Sequence, residues 1–389
     1  MILEDMILDN VKNMPPSGIR KYFDLINEME DVISLGVGEP DFVTPWNVIE
    51  AGIYSLEKGE THYSSNAGFI ELRKEISNYL KRRFNLTYNP EDEILVTVGG
   101  SEGIDLALRA LVGQGDEIII PEPSFVAYKG CATFCGATPV IINLRQEDDF
   151  KLTADLLEKA ITPKTKVVII PFPNNPTGAI MTKEELKEIV EVLKDKDIII
   201  LSDEIYAELS YDKDHYSIAS FEEVKDKTLV INGFSKAYAM TGWRLGYVCG
   251  HPVLIDALKK IHQYALMCSP TTAQFAAIEA LKHGDDSVRE MSREYNRRRR
   301  ILVNGFREMG LECFEPLGAL YVFPCIKSTG LTSDEFCERL LLEENVLAVP
   351  GNAFGECGEG YIRACYASST EDLIEAVKRI KRFVNKLKA

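Results

Sequence analysis

No apolar run in this chain approaches the ~20 residues of a membrane-spanning helix. The N-terminal stretch carries Glu4, Asp5 and Asp9 and lacks the long apolar core of a secretory signal, so none is expected. Positive charge is in deficit. Against 60 Asp and Glu stand 44 Lys and Arg, and the net charge of −16 argues against a nucleic-acid or acidic-membrane partner. The nine cysteines are odd in number, scattered and without a CxxC pair. Reduced buried thiols in a cytoplasmic protein fit that pattern better than a disulfide framework or a zinc site, and no metal is expected. There is no internal repeat, no low-complexity segment, no GxGxxG fingerprint and no Walker loop.

What is present describes a globular chain. Apolar residues make up 46% and charged residues 27% of 389 positions, enough for two domains and a large core. From about 94 to 250, apolar runs end in polar tips and are followed by helical patterns. That alternation predicts right-handed crossovers and a mostly parallel sheet with helices on both faces. A helical pattern over 287–309 leads to a smaller unit holding 318–324, 346–350 and 360–367. Arg297, Arg298, Arg299 and Arg300 fall in that pattern and read as a solvated helix face. Thr44 and Pro45 predict the N-cap and first residue of a helix closing near Gly59. Thr182 and Glu185 predict a capping box. Residues 14–20, with Pro15, Pro16 and Gly18, read as an irregular arm. The neighbouring apolar residues Ile2, Ile7 and Leu8 need a surface to cover, such as a partner subunit.

The densest chemistry lies in residues 231–246, Ile-Asn-Gly-Phe-Ser-Lys-Ala-Tyr-Ala-Met-Thr-Gly-Trp-Arg-Leu-Gly. Its one lysine, Lys236, sits among small and aromatic residues. Desolvation there would lower its pKa and free the neutral amine that attack on a carbonyl needs. Arg244, between Gly242 and Gly246, offers a fork for a phosphate or carboxylate. In isolation such a pair is more often a surface turn with two solvated cations. Other strand ends carry candidates too. Residues 99–103, Gly-Gly-Ser-Glu-Gly, join a buried strand to a helix N-terminus, where free N–H groups and the dipole suit an anion. Taken alone, a plain βα turn is the commoner meaning. Asp203 closes an apolar strand, where an unpaired carboxylate is costly. Residues 171–178, Pro-Phe-Pro-Asn-Asn-Pro-Thr-Gly, freeze a bend at the carboxyl end of a strand, where α/β proteins bind ligands. Arg363 stands in a strand between Ile362 and Ala364, odd for solvent and sensible for a bidentate carboxylate contact.

Together these segments resemble class I/II aminotransferases, the fold-type I enzymes that use pyridoxal 5′-phosphate (PLP), and among them aspartate aminotransferases of archaea and bacteria. The matching positions run from Gly18 to Arg363. The resemblance implies a three-layer α/β fold with a mostly parallel central sheet plus a smaller α+β domain. Its expected parts are an arm and part of the small domain in 1–43, a large PLP-binding domain in 44–285, and a small domain in 286–389. It implies that Lys236 carries PLP as a Schiff base and serves as general base. Arg244 then holds the phosphate, with Ser235 and the backbone of Gly100, Ser101 and Glu102. The Glu102 side chain is expected to point away. Phe125 stacks on the pyridine ring, Asp203 pairs with its nitrogen, and Asn175 and Tyr206 reach its O3′. Arg363 clamps the substrate α-carboxylate, helped by Gly38 of the Gly-Val-Gly-Glu-Pro-Asp-Phe loop and by Asn175. Tyr63 serves the neighbouring subunit's phosphate, so a homodimer with shared active sites is expected.

One position departs from the family. Where a Ser or Thr often stands three residues before the lysine, this chain has Gly233. The implied activity is transfer of an amino group from an L-amino acid, aspartate foremost and aromatic next, to a 2-oxo acid such as 2-oxoglutarate. The same residues would serve another fold-type I reaction, such as a C–S lyase or an elimination. A non-catalytic regulatory relative is the third reading, and the intact Lys236, Asp203 and Arg363 argue against it.

Overall fold

Strands built almost wholly from Ile, Leu and Val have no polar face to offer water, so they need cover on both sides. The computed structural model, which describes residues 3–15 and 31–388, meets that need with a seven-stranded sheet. In chain order the strands are β1 (Ile33–Ser34), β2 (Ile94–Thr97), β3 (Glu117–Glu122), β4 (Thr138–Asn143), β5 (Thr165–Ile170), β6 (Ile199–Asp203), β7 (Thr228–Gly233), β8 (Gly246–Cys249), β9 (Tyr321–Val322), β10 (Val346–Leu347), β11 (Val349–Pro350) and β12 (Ile362–Cys365). The large sheet has the order β2-β8-β7-β6-β5-β3-β4. Its pairs are parallel from β7 across to β4, and antiparallel only where β8 lies between β2 and β7. The expected mostly parallel α/β sheet is therefore what the chain builds.

Period-two alternation sends each strand's side chains into two cores. Ile94 and Val96 of β2 pack in one core with the helices Ile70–Phe84 and Thr271–His283. Leu95 packs in the other with the helices Gly99–Leu111 and Pro252–Ala265. A separate core gathers Leu35, Tyr206, Leu209 and Tyr211 with apolar residues between 291 and 384. There β9, β11 and β12 make an antiparallel sheet and β1 pairs with β10. The helix Asp285–Glu308 buries Val288, Met291, Tyr295, Leu302 and Phe306 along one stripe. Burying a large apolar side chain is worth ~1.5–3 kcal/mol.

Several expectations need correction. Arg298 and Arg299 are not a solvated face: they are 8% and 2% exposed. Arg298 Nη1 donates to both oxygens of Asp41 (2.9 and 2.8 Å), and its Nε to Glu294 (2.8 Å). Arg299 donates to Glu315, Asp212 and the Pro316 carbonyl. Buried guanidinium is tolerable because it is paired. Thr44 does not cap its helix, which is Trp46–Glu57 with Pro45 at the N-cap. Its hydroxyl instead donates to the Ala239 carbonyl (2.7 Å) and accepts from the Trp243 indole (3.0 Å). The capping box at Thr182 and Glu185 forms. The expected arm lies partly outside the described residues, as do Ile2 and Gly18. Ile7 and Leu8 are exposed. All nine cysteines are free thiols. Among the described residues no helix is long and apolar enough to cross a membrane.

Candidate active site

The carboxyl ends of β2, β5, β6 and β7 open into a cavity of about 430 Å³, closed on its far side by residues from 36–39, Tyr321 and Arg363. Of the expected site residues, Gly38, Gly100, Ser101, Phe125, Asn175, Asp203, Tyr206, Ser235, Lys236, Arg244 and Arg363 all line it.

Lys236 follows the end of β7, and its ammonium donates to the Gly38 carbonyl (2.6 Å) beside the Tyr206 ring. Burial pushes it down to about 8; Cys365 and Glu39 oppose this, and Arg363 and Arg244 reinforce it. Asp203, the last residue of β6, is buried. Its Oδ2 accepts from the Tyr128 hydroxyl (2.6 Å) and its Oδ1 from the Ile205 N–H (3.2 Å). Burial pushes its carboxyl up, against the Tyr128 and Ile205 hydrogen bonds and with Glu204 adding repulsion. Among the described residues no Lys, Arg or His forms an ion pair with it.

Arg363 is the mirror case, a buried cation that pairs with no carboxylate among the described residues. Its guanidinium lies between the rings of Tyr321 (4.5 Å) and Phe354 (4.7 Å). One Nη donates to Asn175 Oδ1 (3.0 Å), the other to the Gly36 carbonyl (2.6 Å), and Nε has no partner. The hydroxyls of Tyr206 and Tyr321 meet at 2.7 Å. Gly38 has no room for a side chain: a Cβ would lie 2.5 Å from Tyr321 Oη.

The 99–103 turn becomes the first turn of the helix Gly99–Leu111 and so presents free N–H groups. Glu102 does point away from the cavity, which it does not line. Its carboxylate accepts from the Val98 N–H and meets His262 Nδ1 at 2.6 Å. Arg244, at φ 53°, packs its guanidinium on Gly99, where a Cβ would lie 2.8 Å from Nη2. Gly233 is explained by packing. A Cβ there would lie 2.9 Å from Gly246 Cα and 3.0 Å from the Leu245 carbonyl, and one on Gly246 would lie 2.7 Å from Gly100 N. Three backbone segments are stacked without side chains, so the serine or threonine common in the family does not fit.

Tyr63 is not brought to the cavity and is 79% exposed. Sequence reasoning missed Tyr128, one helical turn after Phe125, and Tyr321, which pairs with Cys365 across β9 and β12. Only the spacing of Tyr128 could have pointed to it.

A buried amine, a buried carboxylate lacking a cation and a helix-end anion cradle around one cavity define an enzyme of the fold-type I PLP class. Comparison with known proteins narrows this. The family model for aminotransferase class I and II matches residues 30–380. The protein YugH of Bacillus subtilis (strain 168), provisionally described as an aminotransferase, is 54% identical over 378 residues, 97% of this chain and 98% of its own. The aspartate aminotransferase of Pyrococcus abyssi (strain GE5 / Orsay) is 43% identical over 383 residues, 98% of each chain. The crystal structure of an aromatic aminotransferase from Pyrococcus horikoshii OT3 superimposes with a TM-score of 0.90 at 43% identity, covering 94% of this chain and 99% of that one. The chain belongs to the class I and II aminotransferases, whose members use pyridoxal phosphate. The residues present fit that cofactor: Asp203 lacks the cation that a protonated ring nitrogen would be, and Gly99, Gly100 and Arg244 leave a cationic cradle for a phosphate.

Proposed function

We propose that this aminotransferase moves the amino group of an L-amino acid, aspartate first and an aromatic amino acid next, to a 2-oxo acid such as 2-oxoglutarate. The observation that carries the reading is Arg363, a buried guanidinium with an unpaired Nε, held by Asn175 in the same cavity as Lys236. That is the geometry of an α-carboxylate anchor near an amine. The relatives named for aspartate and for aromatic substrates support the two donor classes.

When bound, the cofactor supplies an electron sink for charge developing at the substrate Cα. The chain's residues do the rest. The turn at Gly100, Ser101 and Glu102 offers backbone N–H groups, and Ser235 and Arg244 offer side chains, to the phosphate. Phe125 would cover the ring, and Asn175 and Tyr206 would hold its hydroxyl oxygen. Asp203 would pair with the protonated ring nitrogen, and Tyr128 holds Asp203 in place. Arg363, Gly38 and Asn175 fix the substrate carboxylate, so that the neutral Lys236 amine is placed to take the Cα proton.

In this reading the protein is a cytoplasmic homodimer whose two sites are shared, with Tyr63 serving its neighbour. The exposure of Tyr63, Ile7 and Leu8 supports that assembly. Residues 44–285 are the large cofactor-binding domain of this reading, 1–43 the arm and part of the small domain, and 286–389 the small domain. A steady-state screen of L-amino acid donors with 2-oxoglutarate tests the function through glutamate formed. Glutamate from aspartate or an aromatic donor is expected. Release of ammonia or sulfide without an acceptor, and no glutamate from any donor, overturns it.

A further inference from the structure

A second cavity, of about 620 Å³, lies beside the site. The two share Phe125 as a wall. Phe354, whose ring lies on the Arg363 guanidinium, is another wall of the second cavity. Ile120, Val126 and Phe134 add apolar wall, and Lys129, Asp334 and Glu356 add charged groups. Into these walls is set one buried carboxyl. Glu122, the last residue of β3, is 6% exposed, and its side chain has no hydrogen-bond or ion-pair partner among the described residues.

The carboxyl has a built place. Gly355, at φ 134°, faces it, and a Cβ there would lie 2.8 Å from Glu122 Cδ. The Ser124 N–H donates to the Phe354 carbonyl (3.0 Å), which fixes the Phe354 segment against the end of β3. Burial pushes the Glu122 carboxyl up, while Lys129 opposes this and Glu356 reinforces it. Asp334, which accepts from Asn352 (2.8 Å), is another acid of the cavity wall. A buried carboxyl without a hydrogen-bond or ion-pair partner is costly to ionise, and a cation entering the cavity beside it lowers that cost further than Lys129 does from the wall.

We propose that this cavity is the subsite for the far end of the substrate side chain, and that Glu122 recognises a cation there. The apolar walls suit the methylene stem of such a side chain, and Glu122 suits its charged tip. The proposal rests on the aminotransferase reading with Arg363 as the carboxylate anchor. It adds donors ending in ammonium or guanidinium to the aspartate and aromatic donors above.

Two comparisons on the holoenzyme test it. In turnover, L-lysine is set against L-norleucine, the same chain without the charge. The wild type should favour lysine in kcat/KM by about tenfold or more, as expected for one desolvated charge pair. Glu122→Gln, nearly equal in size, should bring that ratio close to one and leave norleucine unchanged. In binding, 5-guanidinopentanoate is set against 5-ureidopentanoate, which has nearly the same shape but a neutral tip; neither has an α-amine to react. The guanidino acid should bind more tightly to the wild type, and the difference should vanish in Glu122→Gln. A binding ratio unchanged by Glu122→Gln overturns the subsite. If no donor passes nitrogen to an oxo acid, the aminotransferase reading falls, while the binding comparison still decides the subsite.

Discussion

The lowered pKa of Lys236 can be read out directly in the cofactor-free enzyme. An ordinary lysine titrates near 10.5, and burial brings this one to about 8. A lowered value means that the ammonium loses its proton at lower pH, so the reactive neutral amine is present earlier in a titration. At pH 7 about one Lys236 amine in ten is neutral, against about one in three thousand for an ordinary lysine, a gain of ~300-fold. Covalent capture of pyridoxal phosphate should follow that fraction. We expect the second-order rate of capture, followed by the growth of visible absorbance, to rise about tenfold per unit up to pH 8 and then level off. Measurements above pH 7 avoid titration of the phosphate, whose second pKa is ~6. Arg363 is one of the cations that push Lys236 down. Arg363→Leu should therefore move the break upward. A rate that keeps rising past pH 9.5 without a break would refute the claim that burial activates this amine. Loss of capture in Lys236→Ala, with borohydride fixing cofactor mass on the Lys236 peptide of the wild type, confirms which amine reacts.

Other expectations concern the remaining site residues. Asp203→Ala should keep its cofactor, seen by absorbance, but lose turnover by ~10²–10³-fold, because its charge acts on the developing carbanion. Release of the cofactor with unchanged kcat in the loaded fraction would contradict that role. Arg363→Ala should raise KM about 10–100-fold for alanine, aspartate and phenylalanine alike, since it removes a charge-assisted contact common to all. Selective loss of one side-chain class would show that Arg363 reads something else. Tyr63→Ala mixed with Lys236→Ala under subunit exchange should regain activity toward half of wild type, because one site of each mixed dimer is then complete. Activity that stays at the parents' average in proven mixed dimers counts against shared sites.

The residues legible in the sequence share a position. Lys236, Asp203 and Asn175 lie at or just beyond the ends of apolar strands, where a polar group has no structural reason to be and the fold gathers such ends together. Arg363 was legible as a charge inside an apolar strand. The parallel sheet was legible for the same reason, since uninterrupted Ile, Leu and Val need cover on both faces. What escaped depends on partners far away in the chain. The solvated face predicted for Arg298 and Arg299 failed because Asp41 and Asp212 come from other elements. Tyr321, on β9, meets Tyr206 across 115 positions of sequence. Thr44 was read as a local cap, and its hydroxyl serves Ala239 and Trp243 instead.

The stack of Gly233, Gly246 and the 99–100 turn bears on how such a chain can change over generations. Neither Gly233 nor Gly246 can gain a side chain while the backbone against it stays where it is, whereas a Cβ on Gly100 would meet only the side chains of Ile231 and Ile205, at 3.4 Å or more. A side chain at position 233 therefore requires the neighbouring strand to sit farther away at Leu245 and Gly246 than it does here. Single-step exchange between the two arrangements passes through an overpacked protein, which costs ~1–3 kcal/mol. Position 233 therefore records how closely β7 and β8 approach each other beside the 99–103 turn.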